Sequence, residues 1–298
     1  MKVLSLIEPY ATLIVEKKKK IETRSWKTNY RGELYIHASL TKMAKEDKEN
    51  KNLMGLIDNK NLNYGAIVCK CNLKDCIYMT KEWVNQIKKE NPQEYLCGDY
   101  QEGRYAWVLE NLEPLKDPIQ AKGHLGIWNY LNECQLMDLM DNIEYGWLDK
   151  ENKKCVEMGK KFLDNYRLAS PKEVLQNKVG ICWDQVELER YYLSRTNWKI
   201  KTFCLIYKDG NNDPTHTFEK KNKFYWFEHA WDKCRGMHEY TTLKKMLKDV
   251  ELQFIKIELK SNVIKQNLLL YEYRKPKSHL NCQEFYDFCQ KGKLMNLE

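Results

Sequence analysis

Proline and glycine are scarce in this chain, with seven and thirteen copies among 298 residues. This scarcity argues against a loop-dominated or disordered chain and favours regular structure with compact turns. Long hydrophobic runs are also missing, because none approaches the roughly 20 residues that a membrane helix needs. The stretch Met1–Glu8 becomes polar too early for a signal peptide. We therefore expect a cytoplasmic protein that has no membrane partner.

Aromatic residues and basic charge are abundant. Nine tryptophans and nineteen tyrosines supply the material for sizeable cores, and the length predicts two domains. The net charge of +8 is explained either by a solvated, lysine-rich surface or by affinity for a polyanion such as nucleic acid. Eleven cysteines without an export signal indicate free thiols in a reducing compartment. Cys69 and Cys71 alternate as in a strand, so we predict buried thiols there, with no metal site and no cofactor.

The pattern changes character along the chain and predicts an α+β protein. Residues 1–133 contain many short predicted strands and few helices, which favours a small β-barrel. Residues 134–149 form a predicted connector, and residues 150–298 form a second α+β domain. In that domain, Ser170 and Glu173 have the spacing of a capping box around a helix start at Pro171.

The stretch Gly180–Asp184 is the strongest chemical signal in the second domain. It places Cys182 at the head of a predicted helix, where unpaired backbone N–H groups and the helix dipole favour the thiolate. The same N–H groups could bind the oxyanion that forms when a thiolate attacks a carbonyl. Asp184 is expected to stabilise the first turn of this helix.

A nucleophilic cysteine needs a base, and His216 is the first candidate. It begins a predicted strand, and Glu228 ends the next strand of the same hairpin, so the two lie close together if the strands pair. Gln176 precedes the Cys182-Trp183 pair by six residues, a spacing that resembles that of the oxyanion-hole glutamine of papain-like proteases, and the resemblance implies that it is an oxyanion donor. His229 is the alternative base. The non-catalytic alternative is that Cys182 is a buried residue that only packs in the core.

The order of these residues resembles the transglutaminase-like cysteine enzymes, which share a papain-like core. The resemblance covers about residues 150–235 and implies Cys182 as nucleophile, His216 as base and Glu228 where the family usually has Asp. It implies acyl transfer at a protein or peptide amide, as in proteases, deamidases, glycan amidases and transglutaminases.

Several stretches of the first domain resemble the ASCH domain, named for activating-signal-cointegrator homology. They are Leu4–Ile14, Lys19–Trp26, Tyr30–Ala38 and Lys122–Trp128. The resemblance implies a PUA-like β-barrel and an RNA or nucleotide-like ligand. A cleft with Lys19, Arg24, Arg31 and Lys122 would attract phosphate, beside Glu22. Trp26 and Tyr30 could stack on a base.

Three alternatives remain open at this point. Glu22 and Arg24 could form an internal salt bridge, with Trp26 in the core. The second domain could be a non-catalytic interaction module in a nucleic-acid-binding protein. The ASCH-like domain could itself be an amidohydrolase or nuclease acting on modified nucleosides through Lys19 and Glu22, although the amidohydrolase relatives carry Thr at the position of Glu22.

Overall fold

A computed structural model describes residues 1–57, 62–196, 198–208, 215–221, 224–259 and 263–295. Its chain divides into two compact units. The first contains Met1–Tyr130 and Arg195–Asn197, and the second contains Leu131–Ser194 and Trp198–Glu298. The predicted domain boundaries at 133 and 149 stay predictions.

The first unit is built on one mixed six-stranded sheet. Its strands are β1 (Lys2–Leu6), β2 (Ile21–Arg24), β3 (Gly32–Ala38), β4 (Ala66–Tyr78), β5 (Tyr105–Gln120) and β6 (Ile127–Asn129). Its helices are α1 (Tyr10–Val15), α2 (Lys45–Glu49), α3 (Lys51–Met54), α4 (Lys81–Glu90) and α5 (Pro92–Leu96). The strand order is β2-β5-β4-β3-β1-β6, in which only the β1–β3 pair is parallel.

This sheet curls into a half-barrel, so the small β-barrel expected for this domain is confirmed only in this coarser form. The long strands β4 and β5 pair with several register shifts, which mark the irregular positions where a sheet bends. One face of the sheet holds a core of alternating strand residues such as Leu4, Leu34, Val68 and Trp107. Cys69 and Cys71 are buried in β4, as the alternation predicted, and burial raises the pKa of their thiols to about 11 and about 12.

The second unit combines an antiparallel six-stranded sheet with helices. The helices are α6 (Glu133–Met140), α7 (Lys160–Asn165), α8 (Pro171–Asn177), α9 (Cys182–Leu193), α10 (Leu243–Phe254) and α11 (Cys282–Gln290). The strands are β7 (Trp147–Leu148), β8 (Lys154–Cys155), β9 (Ile200–Tyr207), β10 (Thr215–Lys221), β11 (Tyr225–Glu228), β12 (Gly236–Glu239), β13 (Leu268–Tyr273) and β14 (Lys293–Met295). The sheet order is β12-β11-β10-β9-β13-β14, and β7 and β8 form a separate pair.

The two faces of this second sheet pack against different helices. Alternate residues of β9 separate cleanly, because successive strand residues point to opposite faces. Phe203 and Leu205 join the cluster that contains α10 residues such as Met246 and Phe254. Cys204 and Ile206 join the cluster of α7, α9 and α11, which contains Phe162, Cys182, Trp183 and Phe285.

Two helix starts in this unit follow the sequence signals. Ser170 caps α8, with its hydroxyl accepting from the Glu173 N–H while the Glu173 carboxylate accepts from the Ser170 N–H, which confirms the predicted capping box. Helix α9 begins at Cys182, as predicted. Among the described residues, no helix is long and apolar enough to cross a membrane.

Candidate functional site

The first unit contains a polar cleft with a volume of about 680 Å³. One wall comes from β2 and the segment around Gly98, and it carries the charged side chains of Lys19, Glu22, Arg24, Asp99 and Arg104. The other wall comes from the ends of β1 and β3 and from the loop before β6. It is formed by Ser5, Leu6, Ile7, Ser39, Thr41 and residues 123–126.

Three charged residues from one short stretch of sequence meet inside the cleft. The Glu22 carboxylate lies 3.3 Å from Lys19 Nζ and 3.1 Å from Arg24 Nε. Lys19 is 1% exposed and also donates to the carbonyl oxygens of Ile21 and Cys97, at 2.6 and 2.7 Å. A buried ammonium group therefore has a carboxylate and two carbonyls around it, which offsets much of its desolvation cost.

The end of α1 sets the position of Lys19. Lys17 follows this helix with a φ of +60°, in the left-handed region that closes many helices, and Lys18 and Lys19 donate back to the Leu13 carbonyl. Gly98 supplies the opposing surface, because a Cβ there would stand 3.3 Å from Lys19 Nζ and 2.9 Å from the Tyr100 ring. A side chain at position 98 would therefore crowd the Tyr100 ring and the Lys19 ammonium group.

Arg24 and Arg104 are the basic residues of this wall that remain partly exposed. Arg24 Nη2 donates to the Ser5 carbonyl at 3.1 Å, so it links the edge strand β2 to the end of β1. Arg104 lies 3.3 Å from the Asp99 carboxylate, and its side chain is 27% exposed. Both guanidinium groups can therefore contact a ligand while staying anchored to the protein.

The structure brings together three of the six residues that the sequence assigned to ligand binding. Lys19, Glu22 and Arg24 line the cleft, and the Glu22–Arg24 salt bridge expected as an alternative is present. Trp26, Arg31 and Lys122 are not part of its lining.

The three remaining residues have other surroundings. Trp26 is half-exposed and packs edge-on against Trp107, with ring centroids 4.6 Å apart. Arg31 pairs with Asp75 at 2.9 Å on the surface. Lys122 is exposed. The structure thus gives Arg31 an ordinary surface ion pair, whereas Arg24 is held in the cleft.

Several cleft residues were missed by the sequence reasoning. Tyr10 donates its hydroxyl to Asp47 at 2.8 Å, and Lys19 Nζ stands 5.6 Å from the centre of its ring. Arg104 directly precedes β5, and it reaches the site because β5 pairs with β2, with Tyr105 opposite Arg24. Only this strand pairing, which the sequence did not reveal, connects Arg104 with Lys19.

In the second unit, Cys182 is the first residue of the twelve-residue helix α9, which is the predicted position. The residue is 5% exposed and packs in the cluster with Cys204 and Ile206. Asp184 closes the helix start, since its carboxylate accepts from the Ile181 N–H at 3.0 Å. This agrees with the stabilising role expected for Asp184.

The strands expected to carry the base and the carboxylate do pair. Strand β10 pairs with β11, with Glu219 opposite Phe227, and with β9, with His216 opposite Leu205. Leu205 packs on the sheet face that meets α10, whereas Cys182 packs with the other face. The side chain of His216 lies outside the described residues, so its approach to Cys182 stays a prediction. Any such approach must be compatible with the pairing of position 216 with Leu205.

The other predicted members of this site have identified surroundings. Glu228 is buried, and one carboxylate oxygen accepts from the N–H groups of Ala230 and Trp231, at 2.7 and 3.0 Å. Gln176 is exposed on α8. The roles of both residues in catalysis stay predictions.

His229, the alternative base, is buried beside a different part of α9. Its Nδ1 lies 3.5 Å from a Glu189 carboxylate oxygen, and its Nε2 lies 3.8 Å from Asp141. Burial lowers the pKa of His229 to about 4, although Asp141 and Glu228 oppose this shift. Glu189 is two helical turns beyond Cys182, so His229 is placed next to the helix body and not at its start.

The comparisons with known proteins concern the first unit. Residues 4–119 match the model of the ASCH domain family. Three crystal structures of the ZmASCH protein from Zymomonas mobilis, the unmodified protein and two point mutants, are similar to this chain at 19% identity. They cover 48% of this chain and 80–83% of their own, with TM-scores of 0.26. No curated protein matched. On the evidence of the family model, the segment 4–119 of this chain is an ASCH domain, and it contains β2, β3, β4 and most of β1 and β5 of the curled sheet.

Proposed function

We propose that the first unit binds RNA or a nucleotide-like ligand in the cleft beside Lys19, Glu22 and Arg24. The observation that carries this proposal is the cleft itself, which lies within the ASCH segment and has three basic side chains on one wall, from Lys19, Arg24 and Arg104. Its volume of about 680 Å³ is in the range of small-molecule sites.

The division of work among the basic residues follows from their contacts. Lys19 is buried, and its ammonium group already contacts Glu22 and two carbonyl oxygens. It therefore acts mainly as a fixed positive charge in the cleft. Arg24 and Arg104 each keep a partly exposed guanidinium group, which is the better phosphate partner because it can donate two parallel hydrogen bonds.

The test compares arginines inside and outside the cleft. Binding of a short single-stranded RNA is measured by fluorescence anisotropy for the full chain and for Arg24→Gln, Arg104→Gln and the matched control Arg31→Gln. We expect each cleft variant to bind about tenfold more weakly, with a shallower salt dependence, because one charge-assisted phosphate contact is lost. Arg31→Gln should bind like the wild type.

Equal losses in all three variants would indicate a non-specific basic surface and would contradict the cleft as the site. Wild-type binding in both cleft variants would contradict it as well. Circular dichroism checks that Arg24→Gln is folded, and Arg104→Gln gives an independent result if it is not. Cleavage of the RNA into shorter fragments during the assay would favour the nuclease alternative for the same cleft.

As a second candidate we propose acyl transfer at Cys182, on the family resemblance and on the position of this thiol at the start of α9. Unpaired N–H groups at a helix start favour a thiolate and an oxyanion. The proposal requires the imidazole of His216, or another base, to reach the face on which Cys182 packs. The papain-like character of this unit belongs to the same proposal.

Alkylation by iodoacetamide, followed by peptide mapping, tests this second candidate. If Cys182 is a nucleophile with His216 as its base, it should be alkylated fastest of the eleven cysteines, and His216→Gln should slow it about tenfold or more. His229→Gln is the control and should leave the rate unchanged. A Cys182 that reacts no faster than the other buried cysteines would leave the interaction-module alternative in its place.

A further inference from the structure

The uncharged wall of the cleft displays two apolar side chains that have little protein around them. Leu125 is 100% exposed and Ile7 is 37% exposed, and both line the cleft. A fully exposed leucine contributes no burial energy to the folded chain, which makes its place at the mouth of a ligand cleft informative.

Strand pairing places these two side chains in neighbouring segments. Strands β1 and β6 are antiparallel, with Leu4 opposite Ile127. Continuing this register leads from Leu4 toward Ile7 and from Ile127 back toward Leu125, so both residues stand at the same end of the strand pair. Gly126, with a φ of +69°, forms the turn that leads out of Leu125 into β6.

The aromatic side chains near the cleft are already in use. The Tyr10 hydroxyl is bonded to Asp47, with Lys19 near its ring. Trp26 packs edge-on against Trp107 outside the lining. His124, which also lines the cleft, packs edge-on against Trp128, with ring centroids 5.3 Å apart. Among the described lining residues, Ile7 and Leu125 are therefore the exposed apolar side chains left to meet the flat face of a ligand.

We propose that Ile7 and Leu125 form a base-binding wall, on which the ring face of a nucleobase packs while the attached phosphate meets Arg24 or Arg104. This inference rests on the proposed nucleotide-binding function and adds the part of the ligand that each wall contacts. The opposed character of the walls supports it, because a nucleotide joins a strongly anionic group to a ring with apolar faces. Hydroxyl groups at Ser39 and Thr41, on the same wall, can reach the polar edges of the ring.

The composition of the cleft argues for this occupant. The lining of the cleft contains five charged side chains together with the exposed Ile7 and Leu125. An aliphatic chain would remove water from the partly exposed guanidinium groups of Arg24 and Arg104 without replacing its hydrogen bonds, and a simple anion would leave Ile7 and Leu125 in water.

The experiment separates the base from the phosphate. Binding of a short single-stranded RNA is compared with binding of an abasic ribose-phosphate strand of equal length, for the full chain and for Leu125→Ser. The matched control is Leu163→Ser, which changes a half-exposed leucine on α7 in the second unit. Because Leu125 is fully exposed, its replacement is expected to leave the fold intact.

We expect the wild type to prefer RNA over the abasic strand, and Leu125→Ser to weaken RNA binding about five- to tenfold, since burial of a leucine side chain is lost. Binding of the abasic strand should not change, and Leu163→Ser should behave like the wild type. Equal RNA affinity in Leu125→Ser and the wild type would overturn the base-binding wall while leaving nucleotide binding intact. Absence of binding to either strand would overturn both proposals together.

Discussion

Each unit of this protein buries a carboxylate beside its candidate site, and the two carboxylates have opposite surroundings. Glu22 in the first unit lies between two cations, Lys19 and Arg24, and borders an open cleft. Asp184 in the second unit is 1% exposed and accepts hydrogen bonds from the Ala169 N–H at 2.8 Å and the Tyr166 hydroxyl at 2.9 Å.

The electrostatic consequence differs accordingly. Burial raises the pKa of Asp184 to about 7, against the hydrogen bonds from Ala169, Tyr166 and Ile181, which favour the carboxylate. Glu22 lies beside two positive charges, and such a local excess of positive charge attracts an anion. A buried carboxylate therefore indicates a ligand site when cations and a cleft lie beside it. It indicates a structural role when neutral hydrogen-bond donors enclose it.

The largest effect is expected when the buried carboxylate of Asp184 is removed. We expect Asp184→Ala to lower the unfolding free energy of the second unit by about 3–5 kcal/mol, because buried donors on Ala169, Tyr166 and Ile181 lose their acceptor. Hydrogen exchange followed by mass spectrometry on the full chain reports each unit separately. A loss below about 1 kcal/mol would contradict the structural role.

The matched change in the first unit is Glu22→Gln. Lys19 keeps its two carbonyl acceptors there, so the loss of stability should be smaller than for Asp184→Ala. The variant should also bind RNA more tightly, since one negative charge leaves the cleft. Weaker RNA binding by Glu22→Gln would mean that Glu22 itself contacts the ligand.

Much of the local fold could be predicted because its signals are local. Ser170 and Glu173 specify a helix start within four residues, and the Cys182 helix begins where its flanking pattern predicts. Helix α4 was not predicted, although Thr80 caps it and Trp83, Val84 and Ile87 have helical spacing. The curl of the first sheet depends on pairings between distant strands, which one sequence does not reveal.

The candidate sites follow the same division. Lys19, Glu22 and Arg24 come from one short segment, so their spacing in the sequence was enough to group them. Arg104 and Leu125 join them only through strand pairing. At Cys182 the helix start was predictable, but the face of the sheet on which position 216 lies depends on the register with Leu205, and a shift by one residue would reverse it.

The effect predicted for His229, the buried histidine beside α9, is smaller than that of Asp184→Ala. Its folded pKa of about 4 lies below its ordinary value of 6.5, so the unfolded chain takes up the proton first as the pH falls. The stability that neutral His229 contributes is therefore complete above pH 6.5 and is lost as the pH falls toward 4. Between pH 7.5 and 4.5, this loss amounts to about 2–3 kcal/mol.

The variant His229→Gln isolates this effect from that of Asp184, whose raised pKa acts in the opposite direction over the same range. We expect the variant to gain about 2–3 kcal/mol relative to the wild type between pH 7.5 and 4.5, when unfolding of the second unit is followed by hydrogen exchange. The wild type alone should show a flatter profile, because Asp184 favours acid and His229 favours neutral pH. A stability difference between the two proteins that stays constant with pH would show that His229 is not held neutral, and an imidazole titration by NMR would then give its true pKa.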